Sequence, residues 1–443
     1  MTALASRRAE QALGPESRIV LLISVLLGFE AILYSAVAPL LPHYAHEFGA
    51  SRPALGLLVA AYPAGQIPGS LLGGWIATRA GVRRTVVVAL LMFTVSIVPF
   101  GFATDIATLD ALRFLQGAAC GCIWAGGLAW VIAITPRERR SQVLGSVFGV
   151  AIFGTLLGPI VGTLAVAVGT EVVFAGVGVL SLGLVAWTLR TPAPPRVKRE
   201  RHAPISALMR RPHVLLCLWL FLLEALMVGA TGTLLPLRLS QLGASGVAIG
   251  VTFVIASLFA TVSSPAIGRI VDRRGARLPT CAGLLVTALL VAALPLPSSA
   301  VVVAILTVAV LGGPSLAFVL PSISAVTDTA ERIGVEMALA TVVLNFAWAI
   351  GELTGAPTAA ILSHLTSDTV ALVLIAVMIL ATLVVVIRTR LIGGPSPLEA
   401  RRGHHADRAT MPLDDDQDSL RPRDPLPAVG ATAAAVDCTP DLG

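Results

Sequence analysis

Charge is what this sequence has least of: Asp, Glu, Lys and Arg make up 13% of its 443 residues, about half the share of a soluble domain. That excludes an ordinary cytosolic enzyme. Lysine is nearly missing, with Lys198 the single one among 31 basic residues, a bias that fits a GC-rich bacterial genome and carries no functional information. The five cysteines, at 120, 122, 217, 281 and 438, form no Cys-x-x-Cys pair and have no histidine at ligand spacing, which argues against a zinc site or a disulfide scaffold. Cys120 and Cys122 fall on nearly opposite faces of a helix and cannot share a metal; they read as small apolar residues. Low-complexity runs are lacking too. The 41 glycines and 29 prolines sit inside long apolar stretches, as membrane helices allow.

What the sequence has is apolar length. Mean hydropathy is +0.87, and a bilayer core takes about 20 apolar residues per helix. Twelve such stretches occur, near residues 19–42, 54–77, 85–103, 107–134, 142–168, 171–189, 214–237, 247–270, 278–297, 299–326, 335–362 and 369–388. The expected fold class is therefore an all-α integral membrane protein of twelve transmembrane helices. Ala36-Val37-Ala38 resembles a signal-cleavage site, but the first run is too long and carries Glu30, so it counts as a spanning helix. Alternate loops, beginning with the N-terminus, collect nearly all the arginine, whereas the other six hold only Arg52 and Arg238. By the positive-inside rule both termini are cytoplasmic, in a multi-pass protein of a bacterial inner (plasma) membrane. The loops leave no room for a nucleic-acid-reading domain. Residues 1–18 form a cytoplasmic N-terminus, 19–189 and 214–388 two six-helix bundles, 190–213 a cytoplasmic central loop and 389–443 a disordered cytoplasmic tail rich in Pro, Arg and Asp.

The two halves repeat. A shift of 194 residues aligns Glu30 with Glu224, Leu41-Pro42 with Leu235-Pro236 and Gly49-Ala50-Ser51 with Gly243-Ala244-Ser245. The same shift aligns Gly74, Arg79, Gly81 and Arg83 with Gly268, Arg273, Gly275 and Arg277, without a gap. Six helices per repeat give the bundles the same orientation, pseudosymmetric about an axis along the membrane normal.

Gly74-Trp-Ile-Ala-Thr78-Arg79-Ala-Gly81-Val-Arg83-Arg84 and Gly268-Arg-Ile-Val-Asp272-Arg273-Arg-Gly275-Ala-Arg277 resemble the loop signature of the major facilitator superfamily. Arg113-Phe-Leu-Gln116-Gly117 looks like its proton-coupling signature. Gly154-x-x-x-Gly158-Pro159-x-x-Gly162 is similar to the motif of its drug:proton antiporters, and Val37-Ala-Pro39-Leu-Leu-Pro42 to a signature of the twelve-helix branch. The resemblance implies gating by the two loops, and a fifth helix whose glycine face packs on the other half and prevents leak. It also implies that the acid usual at position 78 helps to lock the cytoplasmic side by facing a helix N-terminus. Thr78 replaces that acid here, so Asp272, facing the start of the fifth segment, is expected to carry more of the gating.

The intramembrane charges are Glu30, Arg113, Glu224 and Glu352, each costing roughly 2.5–3.5 kcal/mol or more at a helix centre. One arginine neutralises one carboxylate well, so at least two glutamates must be protonated or lie in water. Burial favours the neutral carboxyl and a nearby cation the charged one. A glutamate that alternates between such surroundings can load a proton on one side and release it on the other. Glu30, tuned by Arg113, is the first choice for this coupling, although Arg113 has to reach inward to meet it. Asn345, Trp348 and Gly355 share a helical side with Glu352; Tyr34, Gln116, Glu224, Asn345, Trp348 and Glu352 outline a substrate cavity, where a carboxylate beside an aromatic suits a cationic or amphipathic compound. Tyr62, Gln66, Pro63 and Pro68 mark a bendable second helix, and His43 and His46 lie at the outer mouth.

These readings converge on a monomeric proton-coupled transporter, not an enzyme. It exports a small amphipathic drug or natural product by alternating access, with the proton gradient as its energy source and no metal or other cofactor. Its partners are the substrate, protons and the lipid bilayer. An uptake carrier or facilitator for a sugar or organic acid is the alternative, against which the Gly158-Pro159 pattern argues. A membrane sensor on a transporter fold would need an output domain.

Overall fold

In hydrocarbon every backbone N–H and C=O must be satisfied within its own segment, and each apolar stretch folds as helix. The computed structural model describes residues 15–193, 203–335 and 337–389, among which there is no strand. The membrane helices are α1 (Pro15–Ser35), α2 (Arg52–Ala80), α3 (Val82–Gly101), α4 (Ile106–Ile134), α5 (Arg137–Val168) and α6 (Thr170–Arg190). After them come α7 (Pro212–Gln241), α8 (Gly246–Arg274), α9 (Arg277–Ala293), α10 in two pieces (Ala300–Leu311 and Leu316–Arg332), α11 (Met337–Leu365) and α12 (Asp368–Thr389). Eleven spans among the described residues are long and apolar enough to cross a membrane, and α9 is a shorter apolar helix at the ninth position. Residues 194–202 of the expected central loop and the expected tail from residue 390 lie outside the described residues.

Two segments read as continuous are broken. The first stops at Ser35, turns through a 3-10 segment at Ala38–Leu40 and resumes as Leu41–Glu47. Pro39 and Pro42 explain the break, because each removes a donor and crowds the carbonyl four residues before it. The pseudosymmetric α7 keeps Pro236 but has Thr233 where the first half has Pro39, and it runs unbroken over 30 residues. The tenth segment breaks at Gly312-Gly313-Pro314-Ser315; there the hydroxyl of Ser263 on α8 donates to the Gly312 carbonyl at 2.7 Å.

The repeat is visible in the backbone. α2 and α8 start and end 194 residues apart. Ser51 caps the former by accepting from the Ala54 N–H, and Ser245 caps the latter by accepting from that of Ala248. Gly81 and Gly275, which close these helices, have φ of 94° and 75°, a region that side-chain-bearing residues rarely enter. Packing repeats as well: α1 lies on α5 as α7 lies on α11, α2 on α4 as α8 on α10, and α3 on α6 as α9 on α12. Between the halves, α2 meets α11 and α5 meets α8. Large apolar side chains such as Leu71, Val95, Val179, Val262, Val301 and Val377 are exposed, as a lipid-facing surface requires.

Small residues set how closely the helices approach. A Cβ on Gly65 or Gly69 of α2 would lie 1.9 or 2.1 Å from a carbonyl oxygen of α4, and one on Gly117 of α4 would lie 1.8 Å from the Tyr62 carbonyl oxygen. The α2 and α4 backbones therefore touch, and the side chains beside these glycines are held in fixed register.

Candidate functional site

Three of the four buried intramembrane charges, Glu30, Arg113 and Glu352, sit where the α1 break, α2, α4 and α11 converge. Glu30 is 4% exposed and Arg113 3%, and the expected direct pairing between them is not formed: among the described residues no arginine lies within ion-pair distance of Glu30, Glu224 or Glu352. Tyr62 stands between the two. Its hydroxyl donates to Oε1 of Glu30, while the Arg113 guanidinium lies over its ring, 4.3 Å from the centroid. The indole N–H of Trp124 donates to Oε2 of Glu30 at 3.1 Å, and Cys120 lies within hydrogen-bonding reach of both Glu30 and Tyr62.

Arg113 has a different partner, the end of α1. Its Nη2 donates to the Tyr34 carbonyl at 2.7 Å, and its Nη1 to the Leu33 carbonyl at 3.3 Å and to Oε1 of Gln116 at 3.0 Å. The last four carbonyls of a helix have no intrahelical donor, and positive charge is favourable at that end. The proline-driven break thus creates the site that Arg113 fills, and the guanidinium fork caps α1 inside the membrane. Arg113→Lys is expected to lower stability by about 2 kcal/mol, since a point charge cannot span two carbonyls and an amide. Thermal unfolding in detergent should show a fall in Tm of several degrees, where an unchanged Tm would reject the cap.

Glu352 comes from the other half, and its Oε1 accepts from the Tyr34 hydroxyl at 2.7 Å. Its Oε2 is buried without a partner among the described residues. Trp348 lies within hydrogen-bonding reach of Tyr34 and of Glu352 and packs against Phe221 of α7, ring centroids 5.4 Å apart. The Tyr34 and Tyr62 rings meet at 5.3 Å. An unbroken chain of contacts therefore runs from Glu30 through Tyr62 and Tyr34 to Glu352, across the boundary between the halves. Asn345 lines a small cavity of about 30 Å³ with Ser70, Trp124, Leu128 and Thr341, between α2, α4 and α11.

Other expectations are placed differently. Gly355 does not face this cavity: a Cβ there would lie 2.2 Å from the Leu226 carbonyl oxygen, so the glycine admits α7. Glu224, 7% exposed, lies apart from Glu30 and Glu352, beside Ser315 at the α10 break, with Oε2 lacking a partner among the described residues. The glycine face of α5 does not meet the other half. Cβ atoms on Gly154, Gly158 and Gly162 would strike α1 at the Gly28 carbonyl, the Ser35 hydroxyl and the Ala36 carbonyl. That face cradles the end of α1 beside Pro159, and α5 touches α8 instead through Thr163 and Val166, against Gly250 and Gly246.

In the loops expected to gate, Arg79 lies over the Trp75 ring, Arg83 donates to the Thr191 carbonyl and Arg277 to that of Ile387, each within its own half. Arg273 is exposed. Gly74 and Gly268 have open space where a Cβ would stand. Thr78 bonds back to the Trp75 carbonyl at 2.9 Å, and the Asp272 side chain lies outside the described residues. Sequence reasoning missed Trp124 and the role of Cys120. The available signal was spacing, because Arg113, Gln116, Cys120 and Trp124 recur at helical intervals on one face of α4.

Comparison with known proteins agrees with this architecture. Over 170 residues the chain is 28% identical to the quinolone resistance protein NorA of Staphylococcus aureus, covering 38% of this chain and 43% of NorA. Over 141 residues it is 28% identical to multidrug resistance protein 2 of Bacillus subtilis, covering 32% and 35%. These matches span less than half of each relative. Among solved structures, a D-xylose-proton symporter superposes with a TM-score of 0.68 at 15% identity, over 85% of this chain and 98% of that one. A bacterial homolog of the human lysosomal transporter Spinster, inward-facing and unoccupied, gives 0.69 at 14%, over 87% and 100%. At such identity the likeness is one of fold. The family model described as Major Facilitator Superfamily matches residues 23–352, and the chain belongs to that superfamily.

Proposed function

We propose that this protein is a proton-coupled antiporter that exports small amphipathic compounds, cationic ones included, across a bacterial plasma membrane. It works as a monomer whose two bundles rock about the central cluster, with both termini and the arginine-rich loops in the cytoplasm. One observation carries the reading: two buried carboxyls, Glu30 and Glu352, belong to opposite halves, lack an arginine at ion-pair distance among the described residues, and are joined through Tyr62 and Tyr34. A buried carboxylate without a cation is costly, so each is stable only when protonated, hydrated or bound to a cationic ligand.

The chemistry of the donors assigns the proton. An indole N–H only donates, so Oε2 of Glu30 is an acceptor in every state. A phenol both donates and accepts, so the exchangeable proton belongs on Oε1, facing Tyr62. The Arg113 charge over the Tyr62 ring strengthens that phenol as a donor to the carboxylate, which makes Arg113 a positioning residue acting through Tyr62. On the far side, a lipophilic cation entering between the halves takes the place of the Tyr34 hydroxyl at Glu352, with Trp348 offering a ring face. The names of the two bacterial relatives, concerning quinolone and multidrug resistance, fit export of such compounds.

Glu352→Gln tests the substrate half of this reading. For lipophilic cations kcat/KM in proteoliposomes should fall at least about tenfold, because the charge partner is lost; neutral compounds should be spared. An equal loss for both classes would reject Glu352 as the cation site.

A further inference from the structure

The two arginines assigned to the arginine-poor loops, Arg52 and Arg238, converge on one carboxylate. Arg52, the first residue of α2, donates through Nη1 to Asp368 and Ser363, and through Nη2 to Oε1 of Gln241 at 3.1 Å. Arg52 belongs to the first half. Asp368 at the start of α12, Ser363 on α11 and Gln241 at the end of α7 all belong to the second. Arg238, of the second half, stands 3.9 Å from Oδ2 of Asp368 while its Nη2 donates to the Pro295 and Pro297 carbonyls at 2.6 and 3.0 Å. Ser363 also donates to Asp368. Asp368 is 9% exposed, so it is shielded from water yet close to the mouth.

We infer that Arg52 and Asp368 form a releasable latch holding the outer ends of the two halves together, with Arg238 as the standing counter-ion that lets the latch open. The inference rests on the alternating-access reading, under which the halves must part at this end to release substrate. Directly beneath the latch the helices are zipped: a Cβ on Gly56 of α2 would lie 2.5 Å from that of Ala360 on α11. Withdrawal of Arg52 would strand a buried carboxylate if it were the only cation present. Arg238, anchored by two loop carbonyls of its own half, stays behind and keeps Asp368 compensated, so opening replaces one partner without exposing an unpaired charge. The two arginines therefore have opposite roles. Arg52 favours the closed outer face, and Arg238 makes leaving it feasible.

The test reads outer opening directly. Leu237 is 6% exposed and packs into the first-half core from α7, so Leu237→Cys reports separation of the halves when a membrane-impermeant maleimide is added outside intact cells, corrected for the protein without the reporter. Without substrate or proton gradient, Arg52→Gln should raise the labelling rate at least about tenfold, and Arg52→Lys should fall between it and the unaltered arginine. Arg238→Gln should leave labelling at or below the starting rate and slow transport turnover severalfold. Should Arg52→Gln fail to reach the membrane, Ser363→Ala removes one contact of the latch without changing charge and should raise labelling severalfold. Equal labelling with and without the Arg52 or Ser363 change, or equal increases for Arg52→Gln and Arg238→Gln, would overturn the latch. Labelling that responds to substrate but not to the Arg52 and Ser363 variants would discard the latch and keep alternating access.

Discussion

Glu30→Gln is expected to reduce substrate-driven proton movement to the background of protein-free liposomes while leaving the protein folded. The amide has nearly the shape of the carboxyl and keeps an oxygen that can accept from one of the two donors, Tyr62 or Trp124. It cannot take up or release a proton in the accessible range. Stability should change little, since the substitution removes a buried charge that no arginine at ion-pair distance among the described residues balances. The proton readout is therefore separable from folding. Substrate binding, measured by fluorescence or equilibrium dialysis, should survive. Tyr62→Phe gives a graded companion: it removes the acceptor of the exchangeable proton and keeps the ring under Arg113, so coupling should weaken without disappearing. If Glu30→Gln moves protons normally with substrate, coupling passes to Glu224 or Glu352.

Gly117→Val is expected to be the most disruptive single change near the site. A Cβ at residue 117 would lie 1.8 Å from the Tyr62 carbonyl oxygen, and the atom in the way is backbone, which cannot swing aside. Valine adds two further methyls, so α2 and α4 must separate, at a cost of at least ~3 kcal/mol. Separation also moves Tyr62 relative to both Glu30 and Arg113, so activity should be lost even in any protein that folds. Gly74→Ala is the contrast, because a Cβ there meets nothing within 4 Å; its effect on stability should stay within about 0.5 kcal/mol. Monodisperse yield and Tm after purification separate the two. Comparable yields and Tm would mean that the α2–α4 approach is looser than described.

The fold was legible because the bilayer imposes a simple rule on sequence. Apolar length located the helices, and polar positions repeating at a spacing of 194 located the duplication, down to the capping serines Ser51 and Ser245 and the closing glycines Gly81 and Gly275. Breaks were less legible. Pro39 and Pro42 lie in an otherwise apolar run, and hydropathy averages over the turn they cause. The same averaging hides the α10 break at Gly312–Ser315.

Of the site, the identities of the buried polar residues were readable but their partners were not. Counting charges suggests pairing Glu30 with Arg113. The structure instead gives Arg113 to the orphan carbonyls of α1, which exist only because the helix stops at Ser35, and gives Glu30 to Tyr62 and Trp124. A backbone acceptor leaves no trace in the identity of its residue, so no motif announces it. The glycines of α5 show the same limit: their spacing reports a smooth face, and only the fold tells that α1, not the opposite half, lies against it.

The most direct test of proton-coupled export is uphill transport in inside-out vesicles or proteoliposomes carrying an imposed proton gradient, acid inside, with a lipophilic cation supplied at fixed external concentration. The account predicts accumulation above that concentration, sustained by the gradient and abolished by a protonophore. Simple equilibration to the external concentration, unaffected by the gradient or the protonophore, would contradict it and identify a facilitator.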